Sequence, residues 1–296
     1  MGKVLIIGAS GFIGSRLLRR FGRDRAIGTY YSSPFSGGIY FDSARMRLAD
    51  SLSLRSHGIT HGILLQGVTS IDQCARAPQE TARTNVEGAI TVINDLIDAG
   101  VTPIFVSSDA VFDGSRGPWT ETDELCPILT YGRHAAAVER YLCELAVPWT
   151  IARLTKVIAR FPDARNILSE WIEAIRGGET IRCAYDQILT PIDVDDVVDA
   201  LCCIVEKDLR GLYNVAGPQP VSRLELLQLL LSSVGPSLTA AKVMPCSLSD
   251  LPFIEPRPKN CSLSNRKFLG ASGLALQSLG RICRGLAETY MTDAAQ

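Results

Sequence analysis

The stretch Lys3-Val-Leu-Ile-Ile-Gly8-Ala-Ser-Gly11-Phe-Ile-Gly14 decides how the rest of the chain is read. Val4 to Ile7 is a continuous apolar run rich in β-branched residues, the pattern of a strand buried on both faces in a parallel sheet. Three glycines interrupt it. Phe12, Ile13, Leu17, Leu18 and Phe21 then recur at helical spacing, with Arg16, Arg19 and Arg20 between them. Strand, glycine turn and helix in this order are the opening unit of a doubly wound α/β fold.

Gly8, Gly11 and Gly14 are spaced Gly-x-x-Gly-x-x-Gly between the expected strand and helix, and that context lifts a glycine motif above chance. Such a turn lets the backbone approach a pyrophosphate, and the helix N-terminus offers N–H groups to it. Gly8, Ser10, Gly11, Phe12, Ile13 and Gly14 are therefore expected to cradle a dinucleotide. An acid for the adenosine 2'-hydroxyl belongs roughly 20 residues further on. Instead the second strand ends Gly28-Thr-Tyr-Tyr-Ser-Ser33, rich in hydroxyls and uncharged, so NADP and NAD are both admitted, with Tyr30 beside the adenosine. Arg16 is either a phosphate partner or a solvated helix arginine. Asp42, after Ile39-Tyr-Phe41, sits where a later loop could reach the adenine.

Outward from this unit, strands read at Ala26 to Tyr30, His61 to Gln66, Pro103 to Ser107, Trp149 to Leu154 and Gly211 to Val215. Helical stretches alternate with them, notably Thr84 to Ala99 and Ala135 to Leu145. The alternation predicts a Rossmann-type parallel sheet with helices on both faces. A dinucleotide-binding domain is expected over 1–156. A smaller C-terminal substrate-binding lobe is expected over 157–296, with elements returning to the first domain near 180–216. Arg160 to Asn166 and Pro245 to Pro258 read as loops, Ser222-Arg-Leu-Glu225 as a capping-box helix start running to about Val234, and Thr292 to Gln296 as a frayed tail.

Composition removes several classes of function. With 30 Lys+Arg against 31 Asp+Glu the net charge is -1, and no overall field recruits nucleic acid. The nine cysteines are odd in number and hold no Cys-x-x-Cys pair, which argues against a disulfide framework or a thiolate zinc site and fits a reducing cytoplasm. The N-terminal apolar run is too short for a signal peptide, and no later stretch spans a membrane. Asp193, Asp195 and Asp196 crowd together, but they open a helix expected over Val194 to Val205, where acids complement the macrodipole; no metal is expected.

Ser107-Ser-Asp-Ala-Val-Phe-Asp-Gly114 and Tyr131-Gly-Arg133, with the glycine turn, Asn85-Val-Glu-Gly88, Asp186-Gln187, Asn214-x-Ala216-Gly-Pro218 and Arg257-Pro258, resemble the extended short-chain dehydrogenase/reductases. The branch most similar is that of the dTDP-4-dehydrorhamnose reductases, over roughly residues 3 to 270. The resemblance implies a reductase passing hydride from NAD(P)H to the 4-keto group of a nucleotide-linked deoxysugar. Ser108 and Tyr131 then match the family's catalytic hydroxyls, Tyr131 as the acid and Ser108 as the group orienting the carbonyl oxygen. Asn85 matches a helix asparagine that supports the site, and Asn166, Gln187 and Arg257 match contacts to the diphosphate and sugar; each could instead be an ordinary structural polar group. A homodimer or a partner enzyme is possible on the same grounds.

The family's lysine, four residues beyond the tyrosine, is replaced by Ala135. That lysine lowers the tyrosine pKa from about 10 toward neutrality, which takes roughly 3 to 4 kcal/mol from a nearby cation. His134 and Lys156 are the candidates to supply it. Lys156, just past Arg153-Leu-Thr155 at the end of the sixth strand, is the preferred stand-in. Three functions remain open: an NAD(P)H-dependent reductase or related isomerase of a nucleotide sugar, a non-catalytic regulatory protein that binds cofactor or nucleotide sugar, and a nucleotide-binding module whose substrate lobe serves another small molecule.

Overall fold

Val4, Leu5 and Ile6 are wholly shielded from solvent, as a central parallel strand requires, and with Lys3 and Ile7 they form β1 (Lys3–Ile7). The computed structural model describes residues 2–55, 57–161, 166–234 and 241–293. From β1 the chain runs through α1 (Phe12–Phe21), β2 (Ala26–Tyr30), β3 (Ile39–Tyr40), α2 (Leu48–Ser51), β4 (Ile59–Leu64), α3 (Ile71–Arg76) and α4 (Pro78–Ala82). A π-helical turn (Arg83–Gly88) leads into α5 (Ala89–Asp98), followed by β5 (Thr102–Ser108), α6 (Thr130–Cys143), β6 (Thr150–Leu154), β7 (Val157–Ile158), α7 (Ile167–Arg176) and β8 (Thr180–Ala184). The remainder comprises β9 (Ile188–Leu189), β10 (Ile192–Asp193), α8 (Val194–Glu206), β11 (Gly211–Val215), β12 (Val221–Ser222), α9 (Arg223–Ser233), β13 (Lys242–Cys246), α10 (Arg266–Ser272) and α11 (Leu279–Asp293).

The chain divides into two compact units. The first, Met1–Phe112, Glu124–Arg153 and Val198–Tyr213, carries a seven-stranded sheet in the order β11-β6-β5-β4-β1-β2-β3. Pairings β1/β2, β1/β4, β2/β3 and β4/β5 are all parallel. The strand order reverses between β1 and β4, the switch point at which folds of this type bind ligands beyond the carboxyl ends of the strands. Leu5, Ile7, Leu64 and Phe105 of the sheet pack with Val92, Ile93 and Leu96 of α5 and Val138 and Leu142 of α6 into one core. A buried ion pair lies in the same unit: Arg153, 2% exposed, donates from Nε and Nη2 to Glu139, which also accepts from the Ser107 hydroxyl.

The second unit, Asp113–Asp123, Leu154–Val197 and Asn214–Gln296, has among its described residues three two-stranded sheets, β7/β10 and β8/β13 parallel and β9/β12 antiparallel. Its core joins Trp171 and Ile172 of α7, Leu226, Leu227 and Leu230 of α9, and Ile282 and Leu286 of α11. Asp195 and Asp196 occupy the first turn of α8 as helix-complementing acids. Among the described residues no group of three His, Cys, Asp or Glu is placed to hold a metal ion, and no helix is long and apolar enough to cross a membrane.

Several boundaries differ from those expected. The helix expected from Ala135 begins at Thr130, because its first turn is fixed by packing rather than by propensity. The stretch Thr84 to Ala99 is π-helical up to Gly88 before continuing as α5. Pro245 lies in β13 rather than a loop, which a two-stranded sheet tolerates because each strand is an edge. The loop expected at 160–166 includes 162–165, which lie outside the described residues. Of the expected tail, Thr292 and Asp293 are helical, and 294–296 lie outside the described residues.

Candidate active site

At the carboxyl ends of β1, β2, β3 and β4 the first unit holds a cavity of about 580 Å³, within the usual range for cofactor sites. The glycine turn forms one wall. Gly8 takes a left-handed φ of +88°, and a Cβ on Gly14 would stand 2.4 Å from the Gly8 carbonyl oxygen. Glycine at both positions therefore brings the α1 N-terminus, whose first-turn N–H groups have no acceptor within the helix, close against the end of β1. The turn is tied to β2 by the Gly8 N–H donating to the Thr29 hydroxyl at 3.2 Å and the Ala9 N–H to the Thr29 carbonyl at 2.8 Å.

Gly8, Ser10, Gly11, Tyr30 and Asp42 line this cavity, whereas Phe12, Ile13, Gly14, Arg16 and Asn85 are not part of its lining. Arg16 instead folds back on its own helix: Nη1 donates to the Phe12 carbonyl at 3.1 Å, and the guanidinium lies 4.7 Å from the Phe12 ring centre. Asn85 stands in the π-helical turn and works one layer out. Its Oδ1 accepts from the Val68 N–H at 2.7 Å and its Nδ2 donates to the Val68 carbonyl at 2.9 Å, pinning the loop that carries Gln66, Gly67 and Val68 along the cavity.

Sequence reasoning missed Gln66. Both polar atoms of its side chain are buried without a partner among the described residues, and they line the cavity. A donor and acceptor held in this way fit a polar ligand, because burying an amide unpaired is costly. Its position immediately after β4, beside the switch point, was the available signal. Arg45, Tyr31 and Ser32 also line the cavity and were not singled out.

Ser108 and Tyr131 meet at the end of β5. Ser108 caps a short 3-10 turn, its Oγ accepting from the Ala110 N–H at 3.2 Å and donating to Asp109 at 3.0 Å. Helix α6 begins directly on this turn: a Cβ on Gly132 would lie 1.9 Å from the Ala110 carbonyl oxygen. Only glycine allows that approach, and it sets Tyr131 beside Ser108. Burial, first, and the Asp109 carboxylate push the phenol up to about 12, with the Cys74 thiol acting in the same direction and only the Ser108 hydroxyl opposing.

Ala135, one helical turn beyond Tyr131, is buried at 6% exposure. His134 is also buried, its Nδ1 3.5 Å from the Asn85 Nδ2. Lys156 belongs to the second unit, between β6 and β7, where its side chain is exposed and its carbonyl accepts from the Ile192 N–H at 3.0 Å.

The three residues expected to contact substrate all lie in the second unit. Asn166 caps α7, its Oδ1 accepting from the Leu168 N–H at 3.0 Å. Gln187 is buried and accepts from Arg223 Nη1 at 3.4 Å, and Arg223 lies 5.8 Å from the Trp171 ring centre. Arg257 stacks on Phe253 at 4.7 Å. Arg223, at the start of α9, is a further polar group of this region that the sequence reading passed over as part of a capping box.

Comparison with known proteins agrees with this architecture. The chain is 26% identical over 241 residues to the dTDP-4-dehydrorhamnose reductase of Sinorhizobium fredii, covering 78% of this chain and 80% of the relative. A dTDP-4-dehydrorhamnose reductase of Clostridium acetobutylicum superposes with a TM-score of 0.83 at 20% identity, over 99% of both chains. One from Bacillus anthracis, solved in complex with NADP, gives 0.81 at 21% identity, over 98% of this chain and 99% of the other. The description RmlD substrate binding domain matches residues 2–281, and the chain belongs to that family.

Proposed function

We propose that the protein is an NAD(P)H-dependent reductase of a nucleotide-linked 4-keto-deoxysugar, similar in reaction to the dTDP-4-dehydrorhamnose reductases. The observation that carries this reading is the placing of Tyr131, at the start of α6, beside Ser108 at the end of β5, in the same sheet whose β1 and β4 ends hold the dinucleotide-sized cavity. The glycine turn, the buried Gln66 amide, Tyr30 and Asp42 would hold the cofactor, which when bound supplies the hydride.

The chain's own residues then handle the proton. A carbonyl carbon that accepts hydride leaves negative charge on its oxygen, and that oxygen needs a hydrogen bond and then a proton. Ser108 offers the first and Tyr131 the second. With its pKa pushed up to about 12, Tyr131 is fully protonated at neutral pH, so the acid is always loaded, but it surrenders the proton reluctantly. Ala135 leaves no ammonium on the next turn of α6 to ease that transfer. Asn166, Gln187 and Arg257 of the second unit would bind the diphosphate and sugar, and Lys156 is proposed as a partial electrostatic substitute for the family's lysine.

The test is direct. The purified protein is mixed with NADPH or NADH and dTDP-4-dehydrorhamnose, and loss of the dihydronicotinamide absorbance is followed. Turnover that disappears in Tyr131→Phe supports the reductase. Tight binding of cofactor without turnover, over a panel of dTDP- and UDP-linked 4-keto sugars, rejects it in favour of a regulatory binding protein.

A further inference from the structure

The parallel pairing of β2 and β3, with Tyr30 opposite Tyr40, brings the carboxyl ends of both strands to the same end of the cavity. In a fold of this type, that is where the adenosine ribose of a dinucleotide lies, and the residues there decide between a 2'-hydroxyl and a 2'-phosphate. The end of β2 offers hydroxyls from Tyr31 and Ser32 and no acid. The segment after β3 delivers Asp42 and Arg45 to the same lining.

These two charges are not equivalent. Asp42 is 13% exposed in its side chain, and its Oδ1 is occupied by the Ala44 N–H at 3.0 Å. Its Oδ2 lies 3.7 Å from the Arg45 Nε, so the carboxylate is partly neutralised and turned toward its own loop. Arg45 also lines the cavity and is 84% exposed, which leaves most of its fork of donors open to solvent there. A guanidinium so placed suits a doubly charged phosphate through paired hydrogen bonds, whereas a ribose hydroxyl gains little from it.

We infer that Arg45 is the specificity-determining residue of the cofactor site, reading the adenosine 2'-phosphate with the Ser32 hydroxyl and so making the protein select NADP(H) over NAD(H). This rests on the dinucleotide reading of the cavity. It moves the phosphate partner from Arg16, which is folded onto Phe12, to a residue after the third strand.

The experiment is a pair of binding titrations, NADPH and NADH, followed by dihydronicotinamide fluorescence, on the wild-type protein and on Arg45→Ala and Arg45→Glu. No turnover is needed. The expected result is wild-type binding of NADPH at least tenfold tighter than NADH, an advantage that shrinks as salt is raised. Arg45→Ala should remove about tenfold of NADPH affinity while NADH affinity stays within about twofold, and Arg45→Glu should invert the preference. As a probe free of nicotinamide, 2',5'-ADP should displace bound NADPH better than 5'-AMP does in the wild type only. Equal affinities in the wild type, or an equal loss for both cofactors in Arg45→Ala, overturns the assignment while leaving the dinucleotide site intact. Failure of both cofactors to bind the wild type overturns the dinucleotide reading itself, and this assignment with it.

Discussion

The Tyr131 phenol is set beside the Ser108 hydroxyl, and that hydroxyl is what favours ionisation of a phenol that burial and Asp109 otherwise hold protonated. The sign of the pH dependence follows. An acid whose pKa is raised keeps its proton to higher pH, so the protonated, competent form of Tyr131 persists throughout the neutral and mildly alkaline range. We expect kcat to show no alkaline loss assignable to Tyr131 below about pH 10, with ionisation approaching only near 12. Tyr131→Phe should lower kcat by about 10²- to 10⁴-fold with little change in NADPH affinity, because the phenol acts on substrate oxygen. Ser108→Ala should cost less. A kcat profile that already falls near pH 7 to 8, and loses that limb in Tyr131→Phe, contradicts the geometry.

Ala135→Lys tests what the buried alanine removes. An ammonium one turn from Tyr131 should pull the phenol pKa down from about 12, and each unit recovered corresponds to about 1.4 kcal/mol between its protonation states. The expected outcome is a rise in kcat of about tenfold or more at neutral pH, together with an alkaline limb moved toward neutrality. Thermal unfolding of the variant checks that the site accepts the longer side chain. A folded variant with unchanged kcat and an unchanged pH profile shows that proton transfer does not limit turnover.

Lys156→Ala separates the proposed substitute from a bystander. If Lys156 supplies part of the missing charge, kcat should drop severalfold in the wild-type background but much less in Ala135→Lys, where the new ammonium makes it redundant. Additive losses in the two backgrounds would sink that role.

How far the sequence was legible depends on what fixes each feature. The opening strand, turn and helix were readable because local chemistry alone dictates them: an apolar run, glycines where a Cβ would collide, and apolar residues at helical spacing. Strands β2 and β11 were likewise readable to the residue. The start of α6 was not, because Thr130-Tyr-Gly132 is a poor helix opening by propensity and is held by the close seat of Gly132 on Ala110. Gln66 and Arg45 escaped for a related reason. Apart from Gln66's place just after β4, nothing in their local sequence marks them, and they acquire meaning only when separate strand ends converge on one cavity. Arg16 shows the converse, since its position in the first turn of α1 suggested a phosphate and its side chain found Phe12 instead.

Asn85 acts through Val68, so its removal should read as a loosened cofactor site rather than as lost chemistry. Asn85→Ala deletes two hydrogen bonds that hold the 66–70 loop in place, each with a net value of about 0.5 to 1.5 kcal/mol. NADPH affinity is expected to weaken by roughly tenfold, and the loop should become more accessible to hydrogen exchange, with kcat at saturating cofactor changing less than KM. Asn85→Asp, which keeps the acceptor for the Val68 N–H but loses the donor to its carbonyl, should fall between. Equal losses of kcat in both variants at unchanged affinity would instead place Asn85 among the reacting groups.

Asp193 gives a stability signature independent of catalysis. It is fully buried at the end of β10, with Oδ1 accepting from the Asp195 N–H at 2.7 Å and Oδ2 without a partner among the described residues. Burial pushes its pKa up to about 6, against an ordinary value near 3.8, while the Asp195 N–H and, less, Arg160 pull the other way. Between those two values the folded state binds more protons than the unfolded state, so stability conferred by the protonated acid is complete below about 3.8 and is lost as pH rises through about 6. Asp193→Asn keeps the Oδ1 acceptor without the charge. It should raise unfolding free energy by about 1 to 2 kcal/mol at pH 8, with the gain disappearing toward pH 4, where the native acid is neutral in the fold. Urea unfolding at pH 4, 6 and 8 measures this. A variant equally destabilised at all three would mean that the ionised carboxylate, through Asp195 and Arg160, is worth more to the fold than its burial costs.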